Sequence, residues 1–421
     1  MKLLSDVNVH LENKRVSRWF FLFLWFLYAF VCMTKNCFSA ALAAIVDEGS
    51  LTISQTTFIS AAFYIVYTPL QVLGGVLADK YSPARLVLLG LIGSAIPNIV
   101  IFFNQNYYVM LFSWIFSAAI QFALWPALFK LYSSQLVRSD RGMMILFMSF
   151  ASSGGIMFSS LTAAALPRWQ YNFAVSAAVL LLLALGLLLF TRKVDPLLIP
   201  DKHVHVKGVD DEDAPKGKGA VLLFLSSGFI LCLASSFLRY AIENSTKTLS
   251  PTMLSQSYES ISPAIGNLLT VLVVVFGLIG TLLVRFVLYP RIFKNEFTCT
   301  LVLILAALPF MFILRYVGTV SAMLTILCLC MLALLLTGTS YLASTFAARF
   351  VRYRLNGTAA GILNAAYSLA LVFQYTLFGN IAERIGWSAV ATVWCATGVL
   401  AALLIALAIR PSIRFKRKIH E

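Results

Sequence analysis

Apolar runs of about twenty residues recur twelve times along this chain, and no other feature limits its fold so strongly. A helix rising about 1.5 Å per residue needs about that length to cross a hydrocarbon layer about 30 Å thick. The runs fall at 18–45, 54–77, 85–103, 107–130, 143–165 and 170–191, then at 219–245, 261–285, 297–315, 319–345, 357–382 and 387–409, each bounded by charged, Pro or Asn residues. Interruptions such as Gly74-Gly75, Pro126, Gly154-Gly155 and Pro263 suit membrane helices, whose neighbours re-satisfy freed backbone groups. Strand-period alternation is absent, which argues against a β-barrel. Of 421 residues, 60% are hydrophobic and 12% charged, against about 45–50% and about 25% in soluble domains. The expected fold is an all-α polytopic membrane protein with twelve transmembrane helices.

The longest polar stretch, 192–218, contains Asp210-Asp211-Glu212-Asp213 and has too few apolar residues for a core. It reads as a cytoplasmic linker, giving an N-terminal six-helix half at 1–191 and a C-terminal half at 219–421. The first run is long and follows a polar segment, so it reads as a span rather than a cleaved leader, although Ala41-Leu42-Ala43 mimics a cleavage site. With the N-terminus inside, 26 of the 32 Lys and Arg fall on the cytoplasmic side, as the positive-inside rule requires. The formal charge of +15 is therefore a topology signal, not a nucleic-acid footprint. The reading is a multi-pass protein of the cell (inner) membrane, both termini cytoplasmic, and monomeric. Lys247 is assigned to the outer side.

Two cations lie within the runs. Lys35 follows Arg18 by 17 residues and Arg239 follows Lys218 by 21, so both reach similar depth. A charge at mid-bilayer costs about 2.5–3.5 kcal/mol on insertion scales. Neither has an obvious neutralising carboxylate at its depth. One reading is that each snorkels or bonds to helix ends; the other is that both face a central cavity and bind an anion. Two such cations about 6 Å apart repel by roughly 2.8 kcal/mol at an effective dielectric of 20, which an anion between them reverses. Arg239 offers a planar fork, Lys35 a point charge. Glu243, one turn beyond Arg239, is either an outer gate partner or a local ion pair.

The four histidines lie in tails and linker, and Glu243 and Glu383 are read as the only acids near spans, close to their outer ends. This disfavours proton antiport, which commonly uses an intramembrane Asp, Glu or His. The seven cysteines show no zinc or redox spacing, and no Gly-rich nucleotide loop or catalytic serine motif stands in a polar segment. No enzyme activity, cofactor or metal is expected.

The second-to-third connection, Gly75-Val76-Leu77-Ala78-Asp79-Lys80-Tyr81-Ser82-Pro83-Ala84-Arg85, resembles the loop signature of the major facilitator superfamily. The corresponding second-half loop, with Arg285 and Tyr289-Pro290-Arg291, reads as degenerate. Further stretches are similar to the organophosphate:phosphate antiporter branch: Tyr28-Ala29 leading to Lys35-Asn36, Gln121 with Trp125-Pro126, Arg141-Gly142, Leu238-Arg239-Tyr240, Gly357 to Gly361, and Gly386-Trp387. The sequence departs from that branch at Thr34, Gln71 and Ser152, where the branch has Arg, Lys and His, and in an eighth span without an acid. The resemblance implies two six-helix halves that alternate access to a midplane site. Lys35 and Arg239 would bind a small organic anion, a phosphate ester or a carboxylate. Tyr28, Tyr67, Gln71, Gln121, Trp125, Tyr240, Asn364 and Tyr367 would be candidate walls, and Asp79, Lys80, Arg85 and Arg141 a cytoplasmic latch. Exchange is the expected mode; a non-transporting sugar-phosphate receptor and an efflux carrier for hydrophobic or zwitterionic compounds are the alternatives.

Overall fold

The computed structural model describes residues 9–134, 141–200, 218–353 and 355–420. Its contacts divide the chain into two compact units, Met1–Lys207 and Gly208–Glu421.

The first unit holds β1 (Val9–Leu11), α1 (Lys14–Lys35), α2 (Cys37–Asp47), α3 (Ile53–Lys80), α4 (Pro83–Phe103), α5 (Tyr107–Gln121), α6 (Leu124–Ser134), α7 (Arg141–Ala165), α8 (Gln170–Val194) and β2 (Leu198–Pro200). Helix starts carry their own signals. Asn13 accepts from the backbone of Arg15 and Val16, Thr52 and Gln55 form a reciprocal capping box, and Ser82 caps α4 with Pro83 in its first turn. The first span breaks at Asn36, where the backbone leaves helical geometry (φ −98°, ψ 7°). The Asn36 amide donates to the Cys32 carbonyl at 2.7 Å and satisfies a group that the break frees. Two features differ from the sequence reading. Helix α8 runs to Val194, past the expected boundary at 191, and β1 pairs antiparallel with β2, Leu11 opposite Leu198.

The second unit holds α9 (Lys218–Ser226), α10 (Phe229–Thr248), α11 (Ser250–Ser257), α12 (Pro263–Leu283), α13 (Glu296–Ile313), α14 (Ala322–Ala348), α15 (Asn356–Phe373), α16 (Gly379–Arg384) and α17 (Trp387–His420). Helices α9 and α10 bend by 67° around Gly228, whose φ of +79° few other residues adopt. Helix α17 continues through Pro411 to His420, beyond the expected end at 409. Among the described residues, nine helices are long and apolar enough to cross a membrane, or ten with the bent pair. Helices α3 and α7 fill the two remaining expected spans, consistent with a twelve-helix fold. The long helices carry apolar outward faces, with Leu182 on α8 and Leu407 on α17 each 66% exposed, as a lipid-facing surface requires.

The two units repeat one packing scheme. In the first, α1 packs on α7, α3 on α5 and α4 on α8; in the second, α10 packs on α15, α12 on α14 and α13 on α17. Counted within each half, these are first with fifth span, second with fourth, and third with sixth. The correspondence reaches individual residues. Trp169 donates its indole N–H to Glu48 at 2.8 Å, and Trp387 donates to Gln256 at 2.8 Å, each joining the sixth span of its half to the end of the first. At the second-to-fourth crossing a Cβ on Gly74 would stand 2.7 Å from the Phe122 carbonyl oxygen, and one on Gly280 1.9 Å from that of Leu334. Only glycine lets the helices approach so closely.

Candidate functional site

Arg239, Glu243 and Lys247 follow one another at single turns of α10 and are buried, at 1%, 3% and 4% exposure. Arg239 Nη1 donates to Glu243 Oε2 at 2.7 Å and to the Leu336 carbonyl at 3.1 Å, while Nη2 donates to Ser340 Oγ at 3.0 Å. Lys247 Nζ donates to the other oxygen, Glu243 Oε1, at 2.7 Å. The Ser340 hydroxyl also reaches Glu243 Oε2, at 3.3 Å. Two sequence expectations are corrected here. Arg239 does have a neutralising carboxylate, and Lys247, assigned to the outer side, lies inside the helix packing. Side chains four residues apart meet on one face, so Glu243 reaches back to Arg239 and forward to Lys247. Among the described residues no other carboxylate pairs with these three, and the cluster keeps one excess positive charge.

The same unit places two candidate wall residues beside the cluster. Tyr240 and Tyr367 stack with ring centroids 4.5 Å apart, and both are half-buried. Tyr367 lies next to Ser340, and its hydroxyl is buried without a well-formed hydrogen bond. Asn364 is exposed.

Lys35 is the last residue of α1, at the break. Its Nζ donates to the Tyr67 hydroxyl at 3.2 Å and lies 4.4 Å from the ring centroid. It is half-buried, and among the described residues no carboxylate pairs with it. Thr34, by contrast, is fully buried and bonds back to Val31, so at this turn the cation and its predecessor point to different surroundings. Gln71 is half-buried one turn beyond Tyr67. Tyr28 and Trp125 contact one another at 4.5 Å between ring centroids. Gln121 is buried and donates to Ser117 at 2.9 Å, its carbonyl oxygen unpartnered.

Of the expected latch, Lys80 and Arg85 are exposed, and the side chains of Asp79 and Arg141 lie outside the described ones. Lys130 donates to the Ala78 carbonyl at 2.8 Å and so ties the fourth span to the end of the second. The corresponding place in the second unit, where the loop signature is degenerate, holds a polar network of a different kind. The chain beyond α12 turns where Tyr289 takes an extended backbone (φ −120°, ψ 130°), and Glu296 opens α13 fully buried. Glu296 accepts from the Tyr289 hydroxyl at 2.6 Å, from Arg349 Nε at 2.9 Å and Nη2 at 2.5 Å, and pairs with Lys416 on α17. The sequence reading missed Glu296 among the acids near spans, because an acid beside the basic run Arg291–Lys294 looks like a solvated loop residue. Its one available signal was its place at the start of an apolar run, where a helix favours a carboxylate. Among the described residues no three His, Cys, Asp or Glu side chains cluster in a way that suits a metal ion.

Two six-helix repeats with apolar exteriors, one holding a half-buried cation and the other two buried ones, define a multi-pass helical membrane protein. The family model of the Major Facilitator Superfamily matches residues 24–375, and the chain belongs to that superfamily. Among curated proteins it is 25% identical over 173 residues to the Membrane sensor protein UhpC of Salmonella typhimurium, covering 41% of this chain and 39% of that protein. It is 24% identical over 197 residues to a Probable hexose phosphate transport protein of Chlamydia trachomatis, covering 46% and 43%. The chain thus spans about two-fifths of the length of the curated relatives it matches. Among solved structures it is similar to a bacterial homolog of the human lysosomal transporter Spinster (TM-score 0.73, 16% identity, 96% of this chain and 98% of that one). It is also similar to a D-xylose-proton symporter (TM-score 0.70, 18% identity, 93% and 97%). At such identities these two speak for the fold alone.

Proposed function

We propose that this chain is a secondary active transporter that moves a small organic anion, a phosphate ester or a carboxylate, by alternating access and in exchange for a second anion. The observation that carries this reading is the excess positive charge of the Arg239–Glu243–Lys247 cluster. A lone charge within a membrane helix costs about 2.5–3.5 kcal/mol on insertion scales, and an anion reduces that cost. Arg239 supplies the planar fork that suits an oxyanion. Lys35, held by a phenol instead of a carboxylate, supplies the cation of the other half. Tyr28, Tyr67, Gln71, Gln121, Trp125, Tyr240, Asn364 and Tyr367 are the proposed walls. Asp79, Lys80, Arg85 and Arg141 are the proposed latch at the cytoplasmic ends of the helices, in a monomer of the inner membrane with both termini inside.

The test is counterflow in proteoliposomes. Vesicles loaded with inorganic phosphate are expected to take up labelled hexose phosphate, and empty vesicles are not. Uptake that follows a pH gradient and ignores the internal anion overturns exchange. The weak similarity to a membrane sensor favours one second reading, a receptor that binds a sugar phosphate without moving it. Saturable binding without counterflow would select that reading.

A further inference from the structure

The carboxylate in the cluster sits where an anionic ligand would sit. Glu243 offers Arg239 Nη1 an oxygen at 2.7 Å, the same contact a phosphate or carboxylate ligand would make. Ser340 serves both partners, accepting from Arg239 Nη2 at 3.0 Å and reaching the same Glu243 oxygen at 3.3 Å. A ligand oxygen that took the place of Oε2 would therefore meet the same guanidinium and the same hydroxyl. The Tyr367 hydroxyl beside Ser340 is buried without a well-formed hydrogen bond and stands ready as a further donor.

Lys247 makes such a displacement affordable. It holds the second oxygen, Oε1, at 2.7 Å independently of Arg239. When Arg239 turns to a ligand, Glu243 stays neutralised by Lys247, and no buried charge is left without a partner. Gly277 packs beside this pair: a Cβ there would stand 2.8 Å from Thr337 Oγ1, itself buried without a hydrogen bond, and in ordinary contact, 3.4 Å, with Lys247 Cε. The charge count agrees. The empty cluster carries one excess positive charge; with one anionic group on Arg239 it divides into two neutral pairs.

We propose that Glu243 is a built-in competitor for the transported anion: it occupies Arg239 in the empty site and passes to Lys247 when the anion binds. The proposal rests on the reading of Arg239 as the anion-binding group. Such a competitor weakens anion binding by design, which lets the anion leave again and suits a carrier better than a store.

The full-length protein, purified in detergent, is titrated with inorganic phosphate and with a hexose phosphate, and binding is read by calorimetry and by the shift in thermal unfolding. Glu243→Gln is expected to bind phosphate about tenfold more tightly than the parent and to slow counterflow. That variant leaves two cations without a carboxylate, so Glu243→Gln combined with Lys247→Met, which restores the original net charge, is measured beside it and is expected to bind as tightly. Arg239→Gln is expected to lose binding. If Arg239→Gln loses binding while both Glu243 variants bind as the parent does or more weakly, Glu243 is not a competitor and the anion reading stands. If Arg239→Gln binds like the parent, the anion reading itself fails.

Discussion

The two halves share one packing scheme and place a cation in the first span of each, yet they treat that charge differently. In the first half Lys35 ends a helix at a break and rests against Tyr67, a neutral partner. In the second half Arg239 lies in the middle of a helix, and its surroundings supply a carboxylate, a carbonyl, a hydroxyl and a second cation. At the break the freed carbonyls are taken by Asn36 and Cys37, and the Lys35 charge rests on the hydroxyl and ring of Tyr67 without an acid. Within an unbroken helix the backbone groups are already paired, so the charge there relies mainly on side chains, the Leu336 carbonyl adding one further contact. The junctions at the ends of the second spans also differ. Lys130 ties the first half through a backbone carbonyl, whereas the second half uses the buried Glu296 with Tyr289, Arg349 and Lys416.

The sharpest way to break this comparison is at Glu296. Glu296→Ala strands Arg349 and Lys416 and is expected to destabilise the protein by about 3–5 kcal/mol. Lys130→Ala, its counterpart, loses the hydrogen bond to the Ala78 carbonyl among its contacts and is expected to cost less, about 1–2 kcal/mol. Thermal unfolding in detergent checks both, and equal losses would dissolve the distinction between the two junctions. Next come the two cations. Arg239→Gln is expected to lower phosphate affinity by about 100-fold, or about 2.7 kcal/mol, and Lys35→Gln by about tenfold, because the bidentate fork contributes more than a point charge against a phenol. Calorimetry that ranks Lys35 above Arg239 overturns that order.

The crossings give an effect of similar size. Gly280→Ala meets backbone at 1.9 Å and Gly74→Ala at 2.7 Å, so the former is expected to cost about 2–3 kcal/mol and the latter about 1–2 kcal/mol, measured as loss of thermal stability. Smallest are the tryptophan ties. Trp169→Phe and Trp387→Phe each remove one indole hydrogen bond and keep most of the ring. Each is expected to cost about 1 kcal/mol, with Trp169 the larger because its acceptor is a carboxylate. The same unfolding assay decides, and a larger loss at Trp387 reverses the ranking.

The sequence by itself determined the helices. Hydrocarbon has no partner for a bare peptide group, so twenty apolar residues in a row have few structures open to them, and runs such as 54–77 and 143–165 became α3 and α7 nearly residue for residue. It also determined that Lys35 and Arg239 lie within those runs, because depth follows from counting. What it did not determine is what each charge meets. The Arg239–Glu243 pair was legible as one of two alternatives, since four residues is one turn. That Lys247 joins them and that Ser340 closes the cluster from another helix required the chain to be folded. Glu296 was legible only as a polar residue beside a basic run; its three partners come from positions 289, 349 and 416. Apolar periodicity is a local property, written wherever a helix meets lipid. The compensation of a buried charge depends on residues far apart in the chain, and only the tertiary structure brings them within hydrogen-bond distance.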